Sequence, residues 1–354
     1  MANTAIEPSK TLNNWLVGGI IGVGALTALS AWSRKRREID FKDKVVLITG
    51  GARGLGLVLA RQFAAEGAKL AICSRDAEEL RRAKEDLETR GAEVFQAVCD
   101  VRNQDEANGF VESATNRFGS VDVLINNAGV IQVGTLENQT QADFEDAMQI
   151  HFWAAFYMMQ AVLPQMKRRG AGRIVNVSSI GGKVAVPHLA PYCASKFALV
   201  GLSDALRNEL RKDNIFVTTV CPGLMRTGSH INATFKGQNE LEYAWFSLGN
   251  ASPLASVSAE SAAAQIVKAT RHGAAELIIS VQAKTLAKMN ALFPELTADI
   301  LSLANQILPK AGGIGAAKAT GLESASSVAP SILTANIDAA AKRNNESKAN
   351  EEIV

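Results

Sequence analysis

Tyr192 and Lys196 stand four residues apart in Tyr192-Cys193-Ala194-Ser195-Lys196. On a helix, an i,i+4 pair shares one face, which sets the lysine ammonium near the phenol. A free tyrosine titrates near about 10 and is a poor base at neutral pH. A neighbouring cation favours the phenolate and draws that value towards the working range. Such a phenol would give a proton to a carbonyl oxygen as hydride arrives, or take one from an alcohol in reverse. Ser179, at the end of an apolar run, would hydrogen-bond the same oxygen. The pair means nothing alone; its weight comes from a second pattern. Thr49-Gly50-Gly51-Ala52-Arg53-Gly54-Leu55-Gly56 closes the apolar run 44–50 and opens a helical stretch. Strand, glycine turn and helix start together make an anion site: side chains are absent where the backbone must approach a pyrophosphate, and the helix N-terminus favours negative charge.

The T-G-x-x-x-G-x-G spacing resembles that of the short-chain dehydrogenase/reductase family. Further segments resemble it in the same order. They are Asp100 in Cys99-Asp100-Val101, Asn126-Asn127-Ala128-Gly129, Ser179, Tyr192 with Lys196, and Pro222-Gly223-Leu224-Met225-Arg226-Thr227. The resemblance covers roughly 42–285. It implies a nicotinamide dinucleotide held by Thr49, Gly50, Arg53, Gly54, Leu55, Gly56, Ser74, Arg75, Asp100, Val101, Asn127, Ala128, Gly129, Tyr192, Lys196, Pro222, Gly223 and Thr227. It also implies catalysis by Ser179, Tyr192 and Lys196, the last also binding the nicotinamide ribose. One position departs from the family. His151, in Gln149-Ile150-His151-Phe152-Trp153, stands where an asparagine usually supports a water linking the lysine to solvent. A histidine can donate and accept, so it either keeps that relay, with a titration near neutral pH, or simply fills the site.

NADP(H) is expected over NAD(H). An acidic side chain ending the second strand would repel a 2′-phosphate, but that position is Ser74, followed by Arg75, with Arg53 in the glycine loop. Two guanidinium groups can grip a phosphate in fork geometry. Asp76 is nearby, yet Asp76 with Glu79 reads as a helix cap. His188 either lines the pocket or faces solvent. Cys193 packs on its helix with no base to activate it.

These residues need a frame. Seven short apolar runs, 44–50, 69–74, 92–98, 121–127, 172–179, 215–222 and 275–280, alternate with helical patterns. Runs buried on both faces and joined by helices predict a Rossmann-type, doubly wound parallel α/β sheet flanked by helices. This is one domain over 41–285, with a helical C-terminal extension over 286–310. The stretch 228–255, carrying Phe235, Tyr243, Trp245 and Phe246, reads as a substrate lid. Its aromatics either meet an apolar substrate or pack the lid on its own domain. Residues 311–354, rich in alanine and without period, read as a mostly mobile, disordered tail.

The chain has 354 residues, 47% of them hydrophobic, and a net charge of +2. That supplies a full core and offers no bulk positive field, so nucleic acid is not expected as a partner. Four scattered cysteines and four histidines show no ligand spacing, so no metal is expected. Within the N-terminal segment 1–40, residues 15–32 run uncharged and apolar between Trp15 and Trp32. As a helix they would extend about 27 Å, near the thickness of a bilayer core. Arg34, Lys35, Arg36 and Arg37 follow at once, which opposes a cleavable signal peptide and places the catalytic domain on the cytoplasmic side of a single-pass membrane anchor. The expected protein is a membrane-bound NADP(H)-dependent oxidoreductase, homodimeric as its family implies. It would interconvert a carbonyl and an alcohol on a lipophilic small molecule. The alternatives are a nucleotide-binding sensor or scaffold, or an isomerase or dehydratase on the same scaffold.

Overall fold

The computed structural model describes residues 35–347. The anchor expected over 15–32 lies outside the described residues; among those described, no helix is long and apolar enough to cross a membrane. The strands, in chain order, are β1 (Val45–Thr49), β2 (Lys69–Ser74), β3 (Val94–Val98), β4 (Val123–Asn126), β5 (Gln132–Val133) and β6 (Gly172–Val177). After them come β7 (Ile215–Pro222), β8 (Leu224–Arg226), β9 (Thr234–Phe235), β10 (Ser256–Ser258), β11 (Glu276–Ile279) and β12 (Ala319–Thr320). Each of the seven apolar runs contributes one strand to a parallel sheet of order β11-β7-β6-β4-β1-β2-β3. Four of its five inner members, β1, β4, β6 and β7, are buried along their whole length, which is why they read as mostly apolar runs.

Helices α1 (Gly54–Ala65), α2 (Ala77–Thr89) and α3 (Gln104–Phe118) carry the crossovers of the first half. The start of α2 is fixed by Asp76, whose carboxylate accepts from the N–H groups of Glu78 and Glu79 at 2.9 Å. That carboxylate therefore caps a helix, as the Asp76/Glu79 spacing predicts. Helix α4 (Gln141–Met148) runs through a π-turn at Gln149–Trp153 into α5 (Ala154–Arg169), and α6 is Ala190–Leu210. One apolar layer, including Leu59, Phe63, Leu80 and Ile266, fills one face of the sheet. A second, including Phe110, Met158, Met159 and Leu199, fills the other. From β1 the chain winds outward to β3, then returns through α3 to β4 on the opposite side of β1. At that reversal the loops after β1 and β4 diverge and leave a crevice at the strands' C-terminal ends.

Within 228–255 lies helix α7 (Asn239–Ala251), and Phe235, Tyr243 and Phe246 are buried in a small core with Val133 and Ala329, so of the two expected readings the aromatics pack the segment on its own domain. The aromatics reach that core because β9 pairs with β5, beside the site, rather than hanging over it. After helix α8 (Ala259–Arg271) come α9 (Val281–Leu292) and α10 (Pro294–Asn305), the expected extension. The described part of 311–354 is not a mobile tail. Strand β12 adds antiparallel to β9, Lys318 pairs with Asp143 at 2.9 Å, and a last helix, α11 (Ala335–Arg343), buries Ile337, Ala340 and Ala341. Small alanine faces lie close against α7 without needing the large side chains that mark a helix in sequence.

Candidate active site

The glycine loop is shaped by contacts that leave no room for side chains. A Cβ on Gly56 would strike the Gly50 carbonyl, and Gly54 holds φ +54°, which favours glycine. Asn127 braces the loop from behind: its side-chain amide donates to the carbonyls of Thr49 and Gly50 at 3.1 and 3.2 Å. The Thr49 hydroxyl accepts from the N–H groups of Asn127 and Ala128, both at 3.0 Å. These two residues, expected as cofactor contacts, hold β1 to β4. Among the described residues, no protein group takes the N–H of Leu55 or Gly56 in the first turn of α1. Two donors at a helix N-terminus are thus available to an anion.

Gly50, Arg53, Gly54, Leu55, Ser74, Arg75, Asp100, Val101, Asn127, Ala128, Gly129, His151, Tyr192, Lys196 and Thr227 all line one cleft of about 230 Å³. Pro222 ends β7, and Gly223 follows with its N–H on the Ile279 carbonyl at 3.2 Å; they shape the turn to Thr227. At the mouth Arg75 is exposed and forms no ion pair with another described residue. Arg53 is already engaged, with Glu79 at 3.0 Å and with Glu346 at 3.5 Å. Asp100 grips Arg102 with both carboxylate oxygens at 3.0 Å from Nε, and Arg102 holds it below the usual carboxylate range.

At the inner end, β6 delivers Ser179 and α6 presents Tyr192 and Lys196 one turn apart. The Ser179 hydroxyl accepts from the Gly181 N–H at 3.0 Å and acts on the Tyr192 phenol. Burial pushes the phenol up to about 12, with Ser179 opposing. Burial also pushes Lys196 down to about 7. The ammonium donates to the Val177 carbonyl at 2.9 Å and lies 5.6 Å from the centre of the Tyr192 ring. The expected lowering of the phenol by its neighbour is therefore not present in this state: desolvation outweighs the cation, which points to the backbone instead.

His151 does not serve as an open relay here. Its Nε2 accepts from the Val130 N–H at 3.2 Å, which places the ring proton on Nδ1, 2.7 Å from Ser195 Oγ. Ser195 in turn donates to the Tyr192 carbonyl at 2.8 Å. Burial and then the charge of Lys196 hold the imidazole well below its ordinary value, so it stays neutral. The departure from asparagine thus builds a brace between the loop after β4 and the turn carrying Tyr192. His188 is neither a free loop side chain nor a cleft residue: its Nδ1 meets the buried Glu242 at 2.7 Å, and Glu242 also accepts from Trp245 Nε1 at 2.6 Å.

The residues that sequence reading missed are mostly C-terminal. Glu346 lines the cleft, and Asn344 and Asn345 pack against the glycine loop. Lys342-Arg343-Asn344-Asn345 is a helix-end pattern, and Asn345 does adopt φ +59°. That pattern marks where the helix stops, not where its end docks. Cys73 and Cys99, far apart in sequence, also meet in the cleft, where each thiol shifts the other's titration.

A doubly wound parallel sheet, a glycine cradle at its switch point and a Ser–Tyr–Lys group at the inner end define a nucleotide-binding oxidoreductase scaffold. The profile of the family described as short chain dehydrogenase matches residues 44–236, and the chain belongs to that family. A putative ketoacyl reductase of Streptomyces coelicolor is 39% identical over 187 residues, covering 52% of this chain and 72% of the relative. Dehydrogenase/reductase SDR family member 7B of Danio rerio is 37% identical over 217 residues, or 60% of this chain and 70% of that one. Among solved structures, the L-sorbose reductase of Gluconobacter frateurii, complexed with NADPH and L-sorbose, superposes with a TM-score of 0.62 at 27% identity. It covers 68% of this chain and 97% of its own.

Proposed function

We propose that this protein is an NADPH-dependent reductase that converts a carbonyl on a lipophilic small molecule to an alcohol. The observation that carries the reading is the convergence of the glycine cradle with Tyr192 and Lys196 on one cleft, with Ser179 acting on the Tyr192 phenol. The dinucleotide supplies hydride when bound. The N–H groups of Leu55 and Gly56 suit its diphosphate, and Arg75, exposed just after β2 and in no direct ion pair among the described residues, suits a 2′-phosphate. Ser179 positions the carbonyl oxygen, and Tyr192, a neutral phenol at physiological pH, already holds the proton that reduction needs. Lys196, its ammonium on the Val177 carbonyl and 5.6 Å from the Tyr192 ring, is the cation beside the phenolate that the proton's departure leaves. The cleft's lining includes the apolar Val130, Ile131, Met225 and Ala233 beside the polar Ser229 and Asn232, and its apolar side suits a lipophilic substrate.

The test is NADPH and NADH titration of the full chain by nucleotide fluorescence, followed by NADPH consumption against apolar ketones and aldehydes. Wild-type protein should prefer NADPH, and Arg75→Ala should weaken NADPH by about 10–100-fold, the worth of one charge-assisted contact, while leaving NADH nearly unchanged. Equal losses for both nucleotides would remove Arg75 from the 2′-phosphate site, and absence of turnover with any carbonyl would remove the reductase.

Attachment to a membrane through 15–32, with the domain on the cytoplasmic side, is part of the same proposal. It is supported by the uncharged run with its trailing basic cluster. Exposed Leu296, Ile300, Leu303 and Ile307 along and just beyond α10 add a second apolar face. The full chain should stay with membranes through a carbonate wash; release into the supernatant would sink the anchor. A homodimer through the faces of α5 and α6 is supported by Trp153 and Phe197, both exposed there.

A further inference from the structure

The cleft holds a part of the protein's own chain. The Asn344 carbonyl accepts the N–H of Gly54, the first residue of α1, at 2.8 Å. Its side-chain amide donates to the Thr227 carbonyl on the opposite wall at 3.0 Å. Asn345 donates to the carbonyls of Ala52 and Glu79 at 2.8 and 3.0 Å and accepts from Arg82 at 2.6 Å. Residues 344–345 therefore bridge the glycine loop and Thr227 just after β8, the two sides between which a dinucleotide's phosphates would lie.

Glu346 completes the bridge with a charge. Its carboxylate sits where a Cβ on Gly54 would collide with it, 3.5 Å from Arg53 Nε, and accepts from Asn232 at 2.8 Å. The side chain is 4% exposed. A carboxylate is costly to bury; here it is placed at a helix N-terminus facing a guanidinium, where an anion is favoured. A strap that merely covered apolar surface would not need an acid at this point. The cleft that remains, about 230 Å³, is smaller than the roughly 300–1,000 Å³ usual for pockets that enclose drug-sized ligands.

We propose that residues 344–346 are a built-in competitor for the cofactor: Glu346 and the Asn344 carbonyl occupy the anion cradle of the glycine loop, and the C-terminal segment must withdraw before the dinucleotide's phosphates can enter. The inference rests on the nicotinamide dinucleotide reading above. Withdrawal frees the Gly54 N–H and one side of Arg53, both of which the incoming phosphates then take over. Cofactor affinity is thereby set by residues beyond 44–236, the part matched to the family.

The experiment uses the full chain. NADPH dissociation constants are measured by fluorescence for wild type, Glu346→Gln and Glu346→Ala, and trypsin cleavage after Lys342 and Arg343 is followed with and without NADPH. The expected results are NADPH binding about tenfold tighter in Glu346→Ala, an intermediate gain in Glu346→Gln, and saturable acceleration of both cleavages by NADPH in wild type. Unchanged or weaker binding in the variants, or protection of those bonds by NADPH, would overturn the proposal, since Glu346 would then be a bystander or a cofactor ligand. The protease arm uses unaltered protein and so stands even if a variant folds poorly. If no version binds NADPH although circular dichroism shows native folding, the dinucleotide reading itself falls, an outcome distinct from binding that is merely insensitive to Glu346.

Discussion

Replacing Tyr192 with phenylalanine should lower turnover with NADPH and an apolar ketone by about 10²–10⁴-fold, the range that a lost general acid produces. The substitution removes one hydroxyl and little else. The ring still meets His151 edge-on at 5.3 Å, so the helix start should hold its place. What disappears is the phenol hydroxyl beside Ser179, a donor whose burial keeps it protonated far above neutral pH. Steady-state kinetics of the two proteins, with thermal unfolding as a control, check this. Activity within a few-fold of wild type in a normally folded Tyr192→Phe protein would remove the phenol from the chemistry and leave only binding.

Asp143→Ala should cost about 3–5 kcal/mol of stability, the usual consequence of stripping one partner from a buried ion pair. Asp143 and Lys236 are each 1% exposed and 2.5 Å apart. Without the carboxylate, the Lys236 ammonium keeps only the Asn138 carbonyl at 3.3 Å. Helix α4 also loses its cap, because the same carboxylate accepts from the N–H and hydroxyl of Thr140. Urea unfolding monitored by circular dichroism measures the loss, and adding Lys236→Met should restore a substantial part of it. A single-variant cost below about 1 kcal/mol would class the pair with exposed ones. Burial alone would raise the Asp143 carboxyl, but Lys236, Lys318 and Thr140 together hold it well below its ordinary value of 3.8. A carboxyl depressed in the folded state stabilises fully above that ordinary value and less as pH falls through the folded one. Wild type should therefore lose stability on acidification below about pH 4, and the Asp143→Ala/Lys236→Met protein should lose less of it.

The sheet was legible because its physics is local. A strand buried on both faces must be mostly apolar, and β1, β4, β6 and β7 are, with the few polar side chains among them, such as Asn176 and Thr218, hydrogen-bonded inside. Asp76 was legible for the same reason, since a cap acts within three residues of itself. The site's membership was legible through spacing, and all but a few of the residues expected to hold the cofactor face one cleft. What spacing does not encode is what each side chain does once buried. Nothing near Lys196 in sequence announces the Val177 carbonyl that draws its ammonium away from the phenol. Nor does anything around His151 announce that both ring nitrogens are consumed by Val130 and Ser195. The C-terminal region was misread because its burial is carried by alanines and its decisive contacts are made by two asparagines and a glutamate. Such residues look like a solvated end until they meet a partner some 290 positions earlier, as Asn345 meets Ala52.

The segment leading to Asn344 is held at two earlier points, by β12 on β9 and by α11 on α7. Residues 344–346 are therefore on a short tether fixed to the same body whose cleft they enter. A tethered group acts at an effective concentration in the millimolar range, whatever the concentration of the protein. Dilution does not release it, and a crowded cell does not force it in. The balance between an open and a filled cleft is a unimolecular property of each chain, altered by what enters the cleft or by what takes hold of the C-terminal segment.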